Sequence, residues 1–184
     1  MIEFEVDISG KIMVETDQVA LALAGSDFSY AVHLCVAEKQ KALEVITQIE
    51  VERTKAINEN RKKGNKKAKV GAKRGKADIG KRLYGIMLYY LLSRCPDLVE
   101  NVVLDEDYDK KSLGSIKTAV KRVLKREGVG PSHLSITTRK LGDGMADRLS
   151  KQVNRGARKA DWELTAEDLL YFYTDSKKPS FWPG

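Results

Sequence analysis

The chain has 184 residues, 42% of them hydrophobic, and a formal charge of +7. At this length roughly 70% of the unfolded surface can be buried, which favours one domain with one core. Two cysteines are too few for a disulfide framework, and the acidic N-terminus is unlike a secretory signal. The longest apolar stretch, residues 83–92, is far short of the ~20 residues that cross a bilayer. We therefore expect a cytoplasmic protein without membrane association, with one domain over residues 1–175 and a flexible tail over 176–184.

The first half of the chain predicts three strands and a helix. Apolar residues at positions 2, 4, 6 and 8 alternate with acids, which is the period of a strand with one buried face. Residues 19–24 and 30–36 have strand-like composition and short connections, which indicate an antiparallel meander. From about Ala37 to Asn58, apolar residues recur at helical spacing.

The second half predicts helices and strands in alternation. A helix is expected from about Asp78 to Arg94, before Pro96. Residues 99–104 lack polar alternation and suit a central strand, with a second strand at 134–138. Further helices are expected at 112–127, 143–154 and 165–173, the last with a capping pattern. The order predicts an α/β fold with a mixed five-stranded sheet flanked by helices.

The positive charge of the chain is concentrated in one basic segment. Residues 61–82 carry eleven basic residues and one acid, a net +10 that leaves −3 for the rest of the chain. Three glycines interrupt its centre, which favours a mobile loop over 61–77. Such runs are often merely solvated, but this one could hold a phosphate backbone of DNA or RNA. The candidate nucleic-acid-binding residues are Lys62, Lys63, Lys66, Lys67, Lys69, Lys73, Arg74 and Lys76.

Carboxylates stand at the ends of predicted strands and on a late helix. Asp7 lies near the end of the first predicted strand, Asp105 and Asp107 follow the fourth, and Asp143 and Asp147 are one helical turn apart. Mg²⁺ is a hard ion that takes oxygen ligands, so carboxylates gathered by a fold suit Mg²⁺ or Mn²⁺. The acids therefore predict a metal site for phosphodiester hydrolysis.

Three short segments carry a family resemblance. VDISG at residues 6–10, VVLDEDY at 102–108 and DGMADRLSKQV at 143–153 resemble the ribonuclease H-like superfamily of nucleases, resolvases and exonucleases. The resemblance implies three antiparallel strands followed by parallel ones, and two metal ions held by Asp7, Asp105 and Asp147. Asp78 lies too early to match the helical carboxylate of ribonuclease H, so Asp107 or Asp143 is the candidate fourth ligand.

The resemblance implies a metal-dependent nuclease, with DNA slightly favoured and a homodimer possible, as junction resolvases require. A non-catalytic nucleic-acid-binding protein on the same scaffold is the alternative. Each acid also has a plainer interpretation. Asp7 could face solvent as Glu3 and Glu5 were expected to do, and residues 105–109 could cap the following helix. Asp143 could be an N-cap, and Asp147 a surface partner of Lys151.

Overall fold

The computed structural model describes residues 3–62, 75–94, 101–105, 110–127 and 134–174. It confirms an α/β fold with a mixed sheet. The strands are β1 (Glu3–Ser9), β2 (Val19–Ala24), β3 (Ser29–Leu34), β4 (Asn101–Asp105), β5 (Ser135–Arg139) and β6 (Trp162–Glu163). The helices are α1 (Val36–Lys62), α2 (Lys76–Ser93), α3 (Lys110–Glu127), α4 (Met145–Asn154) and α5 (Ala166–Tyr173).

The sheet has the strand order β5-β4-β1-β2-β3-β6. The β1–β2 and β2–β3 pairs are antiparallel, which confirms the predicted meander. The β1–β4, β4–β5 and β3–β6 pairs are parallel, and β4 lies inside the sheet as its apolar sequence predicted. The predicted strand count is wrong by one, because β6 adds a sixth strand beside β3. Two residues are too few to show a periodicity in the sequence.

Helices cover both faces of the sheet, with different packing on each. On one face Val6, Leu21 and Val32 belong to the main core, which α1, α2, α3 and α5 complete. On the other face Leu149 and Val153 of α4 pack on a patch of small residues, Ala20, Ala22 and Ala31. The small side chains let α4 approach the strands closely, which brings its polar residues within reach of β1.

The connection between α1 and α2 is shorter than the sequence predicts. The structure continues α1 to Lys62 and starts α2 at Lys76, so the predicted loop over 61–77 is wrong at both ends. Residues 63–74, which hold most of the candidate nucleic-acid-binding lysines, lie outside the described residues, as does the predicted tail over 176–184. No helix within the described ranges has the length and apolar character needed to cross a membrane.

The connection from β1 to β2 is held by a buried lysine. The Lys39 ammonium of α1 is fully buried and donates hydrogen bonds to the carbonyl oxygens of Lys11 at 3.3 Å, Val14 at 2.5 Å and Asp17. Gly10 opens the connection with φ of 88°, where a Cβ would collide with the Gln18 carbonyl. The end of β1, and with it Asp7, is thereby fixed.

Candidate functional site

Asp7 and Asp105 lie on neighbouring strands at one edge of the sheet. The parallel register pairs Val6 with Leu104, so Asp7 and Asp105 are the next residues on their strands. Because side chains alternate along a strand, both carboxylates project from the same face, the one on which α4 packs. Neighbouring strands are about 4.8 Å apart, so the two residues are close in the sheet.

Helix α4 contacts Asp7 through Ser150. The fully buried Ser150 donates a hydrogen bond from Oγ to Oδ2 of Asp7, at 2.7 Å. Asp147 lies one turn earlier, and its carbonyl oxygen is 3.0 Å from the same hydroxyl. Asp7 is only 5% exposed, so the plainer interpretation of it as a solvent-facing strand residue is wrong. Burial of a carboxylate is costly without donors, and Ser150 supplies one.

Lys151 forms an ion pair with Asp147 on the same helix. Its Nζ lies 2.8 and 2.9 Å from the two carboxylate oxygens of Asp147. The pKa of Lys151 is raised, first by this hydrogen bond and then by the charges of Asp147, Asp143 and Asp7. The predicted pairing of Asp147 with Lys151 is confirmed, but the Asp147 side chain is only 14% exposed and is not a surface residue. Lys151 thus contacts one of the candidate carboxylates, and the charges of two others raise its pKa.

Asp143 lies in the connection that leads from β5 to α4. The helix begins at Met145 with Gly144 as its N-cap, so the alternative interpretation of Asp143 as the cap is wrong. Asp105 ties the connection down by accepting a hydrogen bond from the Leu141 amide at 3.1 Å. Gly142 makes the turn with φ of 64°, a conformation that favours glycine. The carboxylate of Asp105 therefore helps to place Asp143, which is exposed.

Glu5 extends the acidic face along β1. A Cβ on Gly144 would lie 2.7 Å from Oε2 of Glu5, so the carboxylate lies against the N-terminus of α4. Arg139 of β5 reaches across with Nη2 at 3.6 Å from Oε1 of Glu5 and 2.7 Å from Oε1 of Glu3. The Glu5 side chain is 30% exposed, less than an outward-facing residue would be. The helix N-terminus and Arg139 both stabilise its negative charge.

Several predicted residues are not part of this arrangement. Asp78 on α2 is exposed and pairs with Lys81 at 3.8 Å. Lys76 is the exposed first residue of α2, and Asp107 lies outside the described residues. Over the described ranges, no three Asp, Glu, His or Cys side chains are close enough together to hold one metal ion as they stand. Shared coordination by Asp7, Asp105 and Asp147 therefore stays a prediction.

Three residues of the site were missed by sequence reasoning or given no role in it. Ser150 has no signal in a single sequence, because a serine in an amphipathic helix is ordinary. Glu5 was grouped with the solvent-facing residues, although its period-two relation to Asp7 places both on one face. Lys151 was considered only as a surface partner. In each case the missing information is the position of α4 against β1.

Comparison with known proteins gives no relative from which a role could be transferred. No family model, no curated protein and no solved structure matches the chain.

Proposed function

We propose that the protein is a nuclease that hydrolyses phosphodiester bonds with Mg²⁺ or Mn²⁺, of the ribonuclease H-like type. The observation that carries the proposal is the register that makes Asp7 and Asp105 neighbours, with α4 bonded to Asp7 through Ser150. The three antiparallel strands followed by parallel β4 and β5 match the arrangement which that resemblance implies. The strand pairing and the acids thus support the same class of protein.

The donor set fits a hard divalent ion. Asp7, Asp105 and Asp147 offer carboxylate oxygens only, with Asp143 and Asp107 as further candidates, and oxygen is the ligand that Mg²⁺ and Mn²⁺ prefer. Such an ion, when bound, polarises the phosphodiester and lowers the pKa of a water. Lys151 already supplies positive charge among these acids, which is the electrostatic role that an ion would extend. The fit rests on the oxygen ligands of these side chains and on the neighbouring positions of Asp7 and Asp105.

The chain's own residues have distinct roles in the proposal. Ser150 orients the Asp7 carboxylate by its hydrogen bond. Asp105 keeps the β5–α4 connection against the end of β4 through the Leu141 amide. Basic residues beside the acids bind the phosphates, because Lys and Arg contacts to the backbone give sequence-independent affinity.

Replacing Asp7 by Asn tests the proposal. Asparagine keeps an oxygen that can accept from Ser150 but removes the charge, so we expect cleavage to fall by at least ~100-fold while the fold and binding persist. Single-stranded DNA, duplex DNA, RNA and hybrid substrates are incubated with Mn²⁺, with EDTA as a blank. Asp78→Asn is the matched control, since Asp78 is an exposed carboxylate outside the site. Equal metal-dependent cleavage by Asp7→Asn and wild type would overturn the assignment.

A non-catalytic nucleic-acid-binding protein is the second candidate. The observation that favours it is the close pair of Lys151 and Asp147, which neutralises one proposed ligand within the chain. This candidate predicts salt-sensitive binding to the same substrates with no metal-dependent turnover in the wild-type protein. The cleavage panel therefore separates the two candidates directly.

A further inference from the structure

Helix α3 presents a basic surface that sequence reasoning did not single out. Its apolar side, with Ile116, Val120 and Val123, is buried in the main core. Its charged residues are seven cations and one acid over eighteen positions. Beyond the first turn, the cations are Lys117, Lys121, Arg122, Lys125 and Arg126.

Three of these cations form a row in which no lysine is paired with an acid of the described residues. Lys117, Lys121 and Lys125 are spaced four residues apart and so lie along one side of the helix. We call this row the α3 stripe. None of the three has an ion pair with any residue in the described ranges, and Glu127 pairs with Arg126 instead, at 3.5 Å. Like charges at this spacing repel each other, so the isolated helix is destabilised by the row.

The geometry of the α3 stripe fits a linear polyanion. Four residues of α-helix advance about 6 Å, so the row extends over about 12 Å on a rigid element. All large apolar side chains of α3 are buried, which leaves no apolar side to enter a lipid surface. A phosphate backbone needs only such a row of cations, because its contacts to Lys are electrostatic.

Helix α3 begins near the carboxyl ends of β1 and β4, where Asp7 and Asp105 lie, and the α3 stripe starts seven residues further on, at Lys117. Lys110, the first residue of α3, is five residues after Asp105, which limits their separation to about 17 Å. A cavity of about 680 Å³ at the start of α3, on the main-core side of the sheet, is lined by Ile8, by Ser112 of α3, and by Lys11 and Lys81. Cationic side chains therefore lie both around this cavity and along α3.

We infer that the α3 stripe binds the phosphate backbone of nucleic acid. The inference rests on the proposed function for nucleic acid as the partner, but it does not require cleavage. Binding is sequence-independent, since the row offers charge and no base-reading geometry. Its residues differ from those of the basic segment at residues 63–74.

The test compares two double variants that lose the same charge. Lys121→Gln with Lys125→Gln alters the stripe, and Lys41→Gln with Lys55→Gln alters α1, where both lysines are exposed. Glutamine is a good helix former, so both proteins should fold. Binding to a short duplex DNA of mixed sequence is measured in EDTA between about 50 and 200 mM NaCl. Anionic phospholipid vesicles are a second probe.

We expect the stripe variant to bind DNA on the order of tenfold more weakly, and its salt slope to shrink by roughly 1–2, while the α1 variant binds as wild type does. Because EDTA is present, a failure of the nuclease proposal leaves this result unaffected. Equal losses in both variants, or no loss in either, would overturn the inference. The inference would also be overturned if the wild-type protein did not bind DNA, or if it bound the vesicles as tightly as DNA.

Discussion

The hydrogen bond between Ser150 and Asp7 joins residues that are 143 positions apart in the chain. Both side chains are buried, at 0% and 5% exposure. A carboxylate in such surroundings is stabilised by each donor that it keeps and destabilised when one is removed. Ser150 therefore contributes both to the stability of the protein and to the orientation of the proposed ligand.

Replacing Ser150 by Ala should lower the free energy of unfolding by about 1–3 kcal/mol, because the buried Asp7 carboxylate loses a donor. In the Asp7→Asn background the same change should cost about 1 kcal/mol less, since a neutral amide is easier to leave unpaired. Denaturant unfolding of the four proteins measures the difference. Ser26→Ala is the control, because Ser26 donates to the exposed Asp27 and its loss should cost little. If the losses in unfolding free energy of the two single variants add up to that of the double variant, the bond does not couple the two residues.

Lys151 remains charged under all ordinary conditions. Its pKa is raised in the folded protein by the hydrogen bond to Asp147 and by the neighbouring carboxylates. A raised lysine pKa means that the stabilising pair is fully present below the unfolded value of about 10.4 and is lost only as pH rises through the folded value. At neutral pH the ammonium therefore competes with any divalent ion for Asp147.

At the scale of elements, Lys39 connects α1 to the loop after β1. Burial lowers the pKa of Lys39, and the charge of Asp17 opposes that shift. Its three carbonyl partners all belong to residues 11–17, so a single side chain fixes the loop. The loop in turn lines the cavity that it forms with Ile8 of β1 and with α2.

Lys39→Met should loosen this loop, because methionine fills the space but donates no hydrogen bonds. We expect a loss of about 1–3 kcal/mol in the free energy of unfolding and faster tryptic cleavage after Lys11. Lys41→Met is the control on the same helix, since Lys41 is exposed and should tolerate the change. A loop as resistant to trypsin in Lys39→Met as in wild type would contradict the role of Lys39.

Sequence periodicity predicted the helices and strands that have one buried face. It failed where a helix ends in polar turns or where a strand forms only by pairing with its neighbour. The bounds of β2 are as predicted, and the capping pattern of α5 is confirmed by reciprocal bonds between Thr165 and Asp168. The end of α1 was missed because its last turns are polar, which resembles the start of a loop. β6 was missed because pairing with Val32 and His33, not its own sequence, makes it a strand.

At the scale of the molecule, the candidate site combines the first strand with α4, near the end of the described chain. The sequence predicted which strands end in acids, and the register confirms that Asp7 and Asp105 are neighbours. It could not predict Ser150 or the contact of Glu5 with Gly144, because both depend on how α4 lies across β1. These two contacts of the candidate site are therefore set by tertiary packing and not by the local sequence pattern.

The charge of the molecule is divided between two kinds of surface. Asp7 and Asp105 lie on the sheet face under α4, whereas seven of the eight charged residues of α3 are cations and the sequence of residues 63–74 holds six cations and no acid. This division suits a protein that binds a polyanion through one surface and divalent ions through another. The net charge of +7 alone would not have shown it.

Direct titration with Mn²⁺ tests the central claim, that the carboxylates at the β1 and β4 ends and on α4 bind divalent ions. We expect the wild-type protein to bind Mn²⁺, Asp7→Asn to bind it roughly tenfold or more weakly, and Asp78→Asn to bind it normally. Lys151→Gln should bind it several-fold more tightly, because a competing cation is removed. A wild-type protein that takes up no Mn²⁺ at millimolar concentration, or an Asp7→Asn protein with unchanged affinity, would contradict the account.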